Sequence, residues 1–223
     1  MALYIVSTPI GNLEDITLRA LRILKEVDLI ASEDTRVTLK LLNHYGIKNK
    51  LMSYHEHNKI ERTKELIKLL KEGKNIALVS DSGTPGIQDP GFYLIREAVK
   101  NNIEVIPVPG PAAFVAALVK SGLPMERFIF AGFLPRRSGR RKKYLKEFKG
   151  LDLTVVFYEA PHRIVPFLKD LYEVFGDREI AVVRELTKKF ESIQYGKISE
   201  LIEFYEEKEP RGEFVIILPK SEE

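Results

Sequence analysis

The sequence predicts an α/β protein of two domains. A parallel-sheet N-terminal domain spans 1–121, and a mixed-sheet C-terminal domain spans 122–223, with the active site in the cleft between them. Three observations carry this. Short apolar runs alternate regularly with helical spacing over the first half. In the second half the apolar runs crowd together near the end, which favours antiparallel neighbours. Glycine- and proline-rich loops follow several runs, and in an open α/β sheet ligands bind at the carboxyl ends of strands.

The elements follow in order. Leu3-Tyr4-Ile5-Val6-Ser7 reads as a strand, and Thr8 to Asp15 as the loop at its carboxyl end. That loop holds one glycine, so the G-x-G-x-x-G dinucleotide fingerprint is absent. Thr17 can cap a helix through Leu18, Leu21, Ile23 and Leu24. Leu29-Ile30-Ala31 is a second strand, and Ser32 to Arg36 opens a helix that ends at Gly46. Glu33 and Asp34 suit the positive end of that helix, or else the mouth of a crevice.

Leu51 to Tyr54 is a third strand. Asn58 with Glu61 resembles a capping box for a helix over 59–71, with Gly73 as its stop. His55 and His57 have no evident third ligand, so no metal is expected.

The most informative stretch follows the apolar run Asn75 to Val79. The loop from Ser80 to Gly91 holds three glycines, two prolines, Asp81 and Asp89. It is longer than a connection needs, and it suits a polar small molecule. A strand from Glu104 runs into Pro109-Gly110-Pro111, and Ala112 and Ala113 start an apolar helix. Such small residues admit either a flat ligand or close helix–sheet packing.

The second half opens with a strand over 127–132. From Arg136 to Lys149, eight of fourteen residues are Lys or Arg. Arg136, Arg137, Arg140, Arg141, Lys142 and Lys143 are a candidate footprint for a polyanion, either an RNA phosphate backbone or a polyanionic small molecule that arginine forks would match. A strand over 153–158 delivers Glu159, His162 and Arg163, an acid, an imidazole and a guanidinium at one strand end. They could position a substrate hydroxyl or a phosphate. A strand over 179–183, an exposed strand over 192–196, a helix over 199–207 and a last strand over 214–218 complete the chain.

Composition sets limits. The 223 residues carry a formal net charge of +3 and no cysteine, which excludes disulfides and thiolate metal sites. The N-terminus lacks a basic region before its apolar run, so no secretory signal is expected. No apolar run is long enough to span a membrane, and a cytoplasmic protein is expected. Abundant Lys, Glu and Arg without Cys or Trp fits a thermophilic source.

Taken together, Ser7 to Leu13, Glu33-Asp34-Thr35-Arg36, Ser80 to Pro85 with Asp89-Pro90-Gly91, Val108 to Ala113, Phe157 to Arg163, and Arg184 to Lys188 resemble the tetrapyrrole-methylase superfamily. These are the class III S-adenosylmethionine (SAM) methyltransferases. Within it the chain resembles the branch that 2′-O-methylates ribose in 16S rRNA. The resemblance implies a two-domain tetrapyrrole-methylase-like fold and a homodimer. It implies SAM as cofactor and a cytidine at the decoding centre of the 30S subunit as substrate. Implied cofactor contacts fall on Pro9, Ile10, Asp81, Ser82, Gly83, Thr84, Ala112 and Ala113, and on Tyr158, Leu186 and Gly212. Glu159, His162 and Lys188 are the candidates for removing the hydroxyl proton, and Arg163 for holding phosphate. Tetrapyrrole-methylating members carry a catalytic acid where this chain has Asn12. The alternatives are a small-molecule methyltransferase and a non-catalytic RNA-binding protein on the same fold.

Overall fold

The structure is a computed structural model that describes residues 1–220. The chain forms two compact units, Met1–Ala112 and Ala113–Glu223. The first contains β1 (Leu3–Val6), α1 (Leu18–Glu26), β2 (Leu29–Ser32), α2 (Thr35–His44) and β3 (Leu51–Ser53). It continues with α3 (Lys59–Lys71), β4 (Ile76–Val79), α4 (Gly91–Lys100) and β5 (Val105–Val108). The strand order is β3-β2-β4-β1-β5, all parallel.

Both faces of this sheet are covered, and its central strands β1 and β4 are accordingly apolar along their length. Along β4, Ile76 and Leu78 join a core with Leu66, Leu70 and Leu94 of α3 and α4. Ala77 and Val79 join the opposite core with Ala20, Leu24 and Leu42 of α1 and α2. The crossovers therefore diverge. From β1 the chain leaves through α1 to β2; from its neighbour β4 it leaves through α4, on the other face, to β5. The β1/β4 boundary is the topological switch point, where open α/β sheets leave a crevice beyond the strand ends.

The second unit contains α5 (Ala113–Ser121), β6 (Phe128–Phe133), α6 (Ser138–Glu147), β7 (Thr154–Glu159), α7 (Ile164–Phe175) and β8 (Glu179–Arg184). Then come β9 (Ser192–Lys197), α8 (Ile198–Glu207) and β10 (Phe214–Leu218). The order is β6-β7-β10-β8-β9; β6 and β7 are parallel and the other pairs antiparallel. One face is a core with Leu145, Phe167, Leu171 and Leu201 of α6, α7 and α8. On the other face lies α5, in contact with β7, β8 and β10. The division thus falls before α5, whereas the Ser121-Gly122 break suggested a boundary after it. The apolar side of α5 is used by the second sheet.

Local capping departs from expectation at one helix. Thr17 caps α1 through Ala20 N, and Asp34 caps α2 through Arg36 N. Asn58 does not close a capping box. Its Oδ1 accepts from His55 N at 2.8 Å, and its Nδ2 donates to Ser53 O at 3.2 Å. The amide braces the turn before α3 instead of its first residues. No described helix is long and apolar enough to cross a membrane.

Candidate functional site

At the switch point of the first unit, the loops after β1 and β4 are joined by backbone. Thr8 N donates to Gly83 O at 2.9 Å, and Gly83 N returns the bond to Thr8 O at 3.1 Å. Thr8 Oγ1 donates to Ser80 O at 3.1 Å. The Ser7 and Thr84 hydroxyls are 2.9 Å apart, and Thr84 Oγ1 donates to Pro111 O at 3.2 Å. The loops following β1, β4 and β5 therefore form one cradle of small residues.

Two glycines make the close approach possible. A Cβ on Gly110 would stand 2.8 Å from Ser7 Cβ. Gly83 has φ +78°, and a Cβ there would meet Ile10 Cγ2 at 3.4 Å and Pro111 O at 3.5 Å. Of the expected cofactor contacts in this unit, Ile10, Gly83 and Thr84 are brought together, with Pro9, Ser82 and Ala112 next in chain. Ser7, Thr8 and Gly110 are cradle residues absent from the expected cofactor contacts, although they lie in the stretches that carry the resemblance; their signals were Ser7-Thr8-Pro9 after one strand and Pro109-Gly110-Pro111 after another.

Carboxylates rim the cradle. Asp81 Oδ1 accepts from Asp34 N at 2.8 Å, tying the long loop to the start of α2. Asp89 accepts from Gly86 N and from Gly91 N, at 2.9 and 2.7 Å, so it folds the loop and starts α4. Desolvation raises the pKa values of Glu33, Asp81 and Asp89, and repulsion adds to it, from Asp81 and Asp89 on Glu33, from Asp34 on Asp81 and from Asp81 on Asp89. Among the described residues, no group of three or more His, Cys, Asp or Glu could hold a metal ion.

In the second unit, β6, β7 and β8 end, and β10 begins, along one edge. Phe133 pairs with Tyr158, and Phe214 with both Glu159 and Arg184. Tyr158 faces α5. Its hydroxyl accepts from Phe114 N at 3.0 Å, its ring meets Phe130 edge-on, and burial pushes its pKa up to about 12. The adjoining loop is strained. Glu185 and Thr187 have φ of 53° and 62°, unusual for non-glycine residues. Leu186 between them is buried, and the buried Thr187 Oγ1 has no partner. Gly212 has φ +88°, a backbone conformation that favours glycine, and a Cβ there would also displace the Glu185 carboxyl.

Two of the proton-transfer candidates are corrected by this geometry. Side-chain alternation turns Glu159 away from Tyr158, toward the core of Phe157 and Phe167. Its side chain is fully inaccessible; Oε1 accepts from Ala160 N at 2.9 Å and lies 3.0 Å from Arg163 Nε. It positions Arg163 and is not open to a substrate. Lys188 Nζ lies 2.9 Å from Glu185 Oε1 and 2.7 Å from Glu213 Oε2. Its pKa is raised: those carboxylates outweigh the lowering by burial, the largest single influence. A lysine held protonated is no proton acceptor. His162 alone among the three is exposed.

The basic stretch is also sorted. Arg141 is buried; its guanidinium meets Asp170 Oδ2 at 2.6 Å and donates to Pro166 O at 3.1 Å. It cannot grip phosphate and is removed from the RNA-binding set. Arg163 is largely enclosed, with Nη2 donating to Leu134 O at 2.7 Å. Lys142 is paired with Glu173 at 2.7 Å. Arg136, Arg137, Arg140 and Lys143 are exposed.

Asn12 has a local task. Its side chain accepts from Glu14 N at 3.1 Å, capping the turn Leu13–Asp15.

The comparisons with known proteins agree with this layout. A protein of Thermotoga maritima named ribosomal RNA small subunit methyltransferase I is 50% identical over 220 residues, 99% of each chain. Its namesake in Halalkalibacterium halodurans is 52% identical over 97% of this chain and 75% of that one. Among solved structures, a diphthine synthase aligns with TM-score 0.77 at 14% identity, over 99% of this chain and 90% of that one. A uroporphyrin III C-methyl transferase of Thermus thermophilus aligns with TM-score 0.71 at 22% identity, over 98% and 97%. The sequence profile described as Tetrapyrrole (Corrin/Porphyrin) Methylases matches residues 2–202, and the chain belongs to that family.

Proposed function

We propose that the protein is a SAM-dependent rRNA methyltransferase that 2′-O-methylates a cytidine ribose of 16S rRNA in the 30S subunit, as a cytoplasmic homodimer. The observation that carries this is the 50% identity, over 99% of both chains, to a protein named for methylation of small-subunit rRNA. Asn12 favours it over a tetrapyrrole substrate, because the position where the resemblance gives those enzymes an acid is here an uncharged amide.

The cradle suits SAM: side-chain hydroxyls, backbone groups and a positive-φ glycine come together at the carboxyl ends of β1, β4 and β5, where open α/β sheets bind ligands. Pro9, Ile10, Asp81, Ser82, Gly83, Thr84 and Ala112 are its proposed holders, with Ala113, Tyr158, Leu186 and Gly212 as the second unit's candidates. When bound, SAM supplies an activated methyl. The protein's part is to orient the ribose, exclude water and remove a proton. His162 is the proposed acceptor of the 2′-hydroxyl proton, and Arg136, Arg137, Arg140 and Lys143 hold phosphates.

The test is transfer of labelled methyl from SAM to purified 30S subunits lacking the modification. One cytidine resistant to alkaline cleavage is expected. His162→Ala should lower the single-turnover rate about 10²-fold or more. Methylation of a free porphyrinoid, with none of the subunit, would overturn the substrate.

A further inference from the structure

The second unit carries a pocket of 810 Å³ between the β6 edge, α6 and the turn after β7. Its volume is in the range of small-ligand sites. Ala131 and Phe148 give it apolar walls, and Tyr144 of α6, 47% exposed, lines it. Arg136, His162 and Arg163 line it, against one acid, Glu147. An aromatic face beside an apolar wall suits a flat heterocycle, and the exposed Arg136 suits an attached phosphate.

Arg163 is fixed there. Its guanidinium is held by Leu134 O at 2.7 Å and lies 3.0 Å from Glu159 Oε1. Glu159 Oε2 is buried without a partner. A buried carboxylate set beneath an arginine is explained if the arginine must stay in place for a ligand.

We propose that this pocket takes one unpaired nucleotide of the substrate RNA, its base stacked on Tyr144 and its phosphate at Arg136. The inference rests on the rRNA reading above and adds the mode of recognition. A base can enter only if it is out of a helix, so the pocket selects single-stranded or extruded nucleotides. The exposed cations of α6 bind paired and unpaired RNA alike; the pocket makes the difference between them.

The experiment compares binding of a fluorescent single-stranded RNA hexamer and of a blunt RNA duplex to the full chain. The wild type should prefer the single strand. Tyr144→Ala should weaken hexamer binding about tenfold and leave duplex binding unchanged, while Tyr144→Phe keeps the preference. Arg136→Ala should weaken both. Equal hexamer affinity for wild type and Tyr144→Ala would overturn the pocket. So would equal losses on hexamer and duplex. Methyl transfer is not read in this assay, so failure of the pocket and failure of the enzymatic reading are separately visible.

Discussion

Arg140 and Arg141 are neighbours with opposite environments. Arg140 is exposed, whereas Arg141 is 2% exposed and paired with Asp170. Helical period decides which goes inward: Arg141 shares its face with Leu145, four residues on, which is fully buried. Removing one partner of a buried ion pair leaves the other charge uncompensated, at a cost of about 3–5 kcal/mol. Arg141→Ala is therefore expected to lower the denaturation midpoint of the second unit strongly. Arg140→Ala should change stability by about 0.5 kcal/mol or less and weaken RNA binding. Urea unfolding of both variants checks this, and equal stabilities would contradict it. Counting basic residues could not separate the two. Setting Arg141 on the stripe with Leu145 and Phe148 would have done so. Glu159 was hidden for another reason. Val155, Val156 and Phe157 make β7 apolar on both faces, so the strand gives no sign of which way its last residue points.

Among the elements, the loop from Ser80 to Pro90 shows local chemistry and global topology agreeing. Its Gly/Pro/Asp content marked it as a ligand loop, and it lies at the switch point, folded by Asp89 onto Gly86 and Gly91. Three carboxylates meet there, and desolvation followed by repulsion from Asp81 and Asp89 raises Glu33 above its ordinary value. A carboxylic acid raised on folding contributes stability that is present below its unfolded pKa, and this is lost as pH rises through the folded one. Glu33→Gln should therefore raise the melting temperature at pH 7 and leave it unchanged at pH 3, where Glu33 is already neutral. The glutamine oxygen can still accept the Asp81 amide. A gain of the same size at both pH values would exclude the charge explanation. Most elements were legible because apolar runs end at Gly, Pro or a cap. Asn58 was not, since an amide three residues before a glutamate fits a capping box equally well when it is engaged elsewhere.

Across the whole molecule, charge is spread unevenly although the net value is only +3. The α/β class, the parallel first sheet and the mixed second sheet were readable, because strand spacing sets the crossover length. The membership of α5 was not, because an apolar helix after a Pro-Gly-Pro turn could pack on either sheet. The site's first-unit loops were readable as loops. Their bridging was not, since Thr8 and Gly83 are far apart in sequence. The distribution of cations yields a quantitative expectation. In the region from Arg136 to Lys143, burial removes Arg141 and the Glu173 pair engages Lys142. Arg136, Arg137, Arg140 and Lys143 remain for phosphate. Each neutralised phosphate contributes about −0.7 to −0.9 to the slope of log affinity against log salt, so about −3 to −4 is expected from four contacts. Arg140→Ala should make the slope shallower by about one unit. Arg141→Ala, measured where it stays folded, should leave the slope as it is. A wild-type slope near zero would show that this surface does not meet RNA, and an unchanged slope in Arg140→Ala would move the contact elsewhere on the molecule.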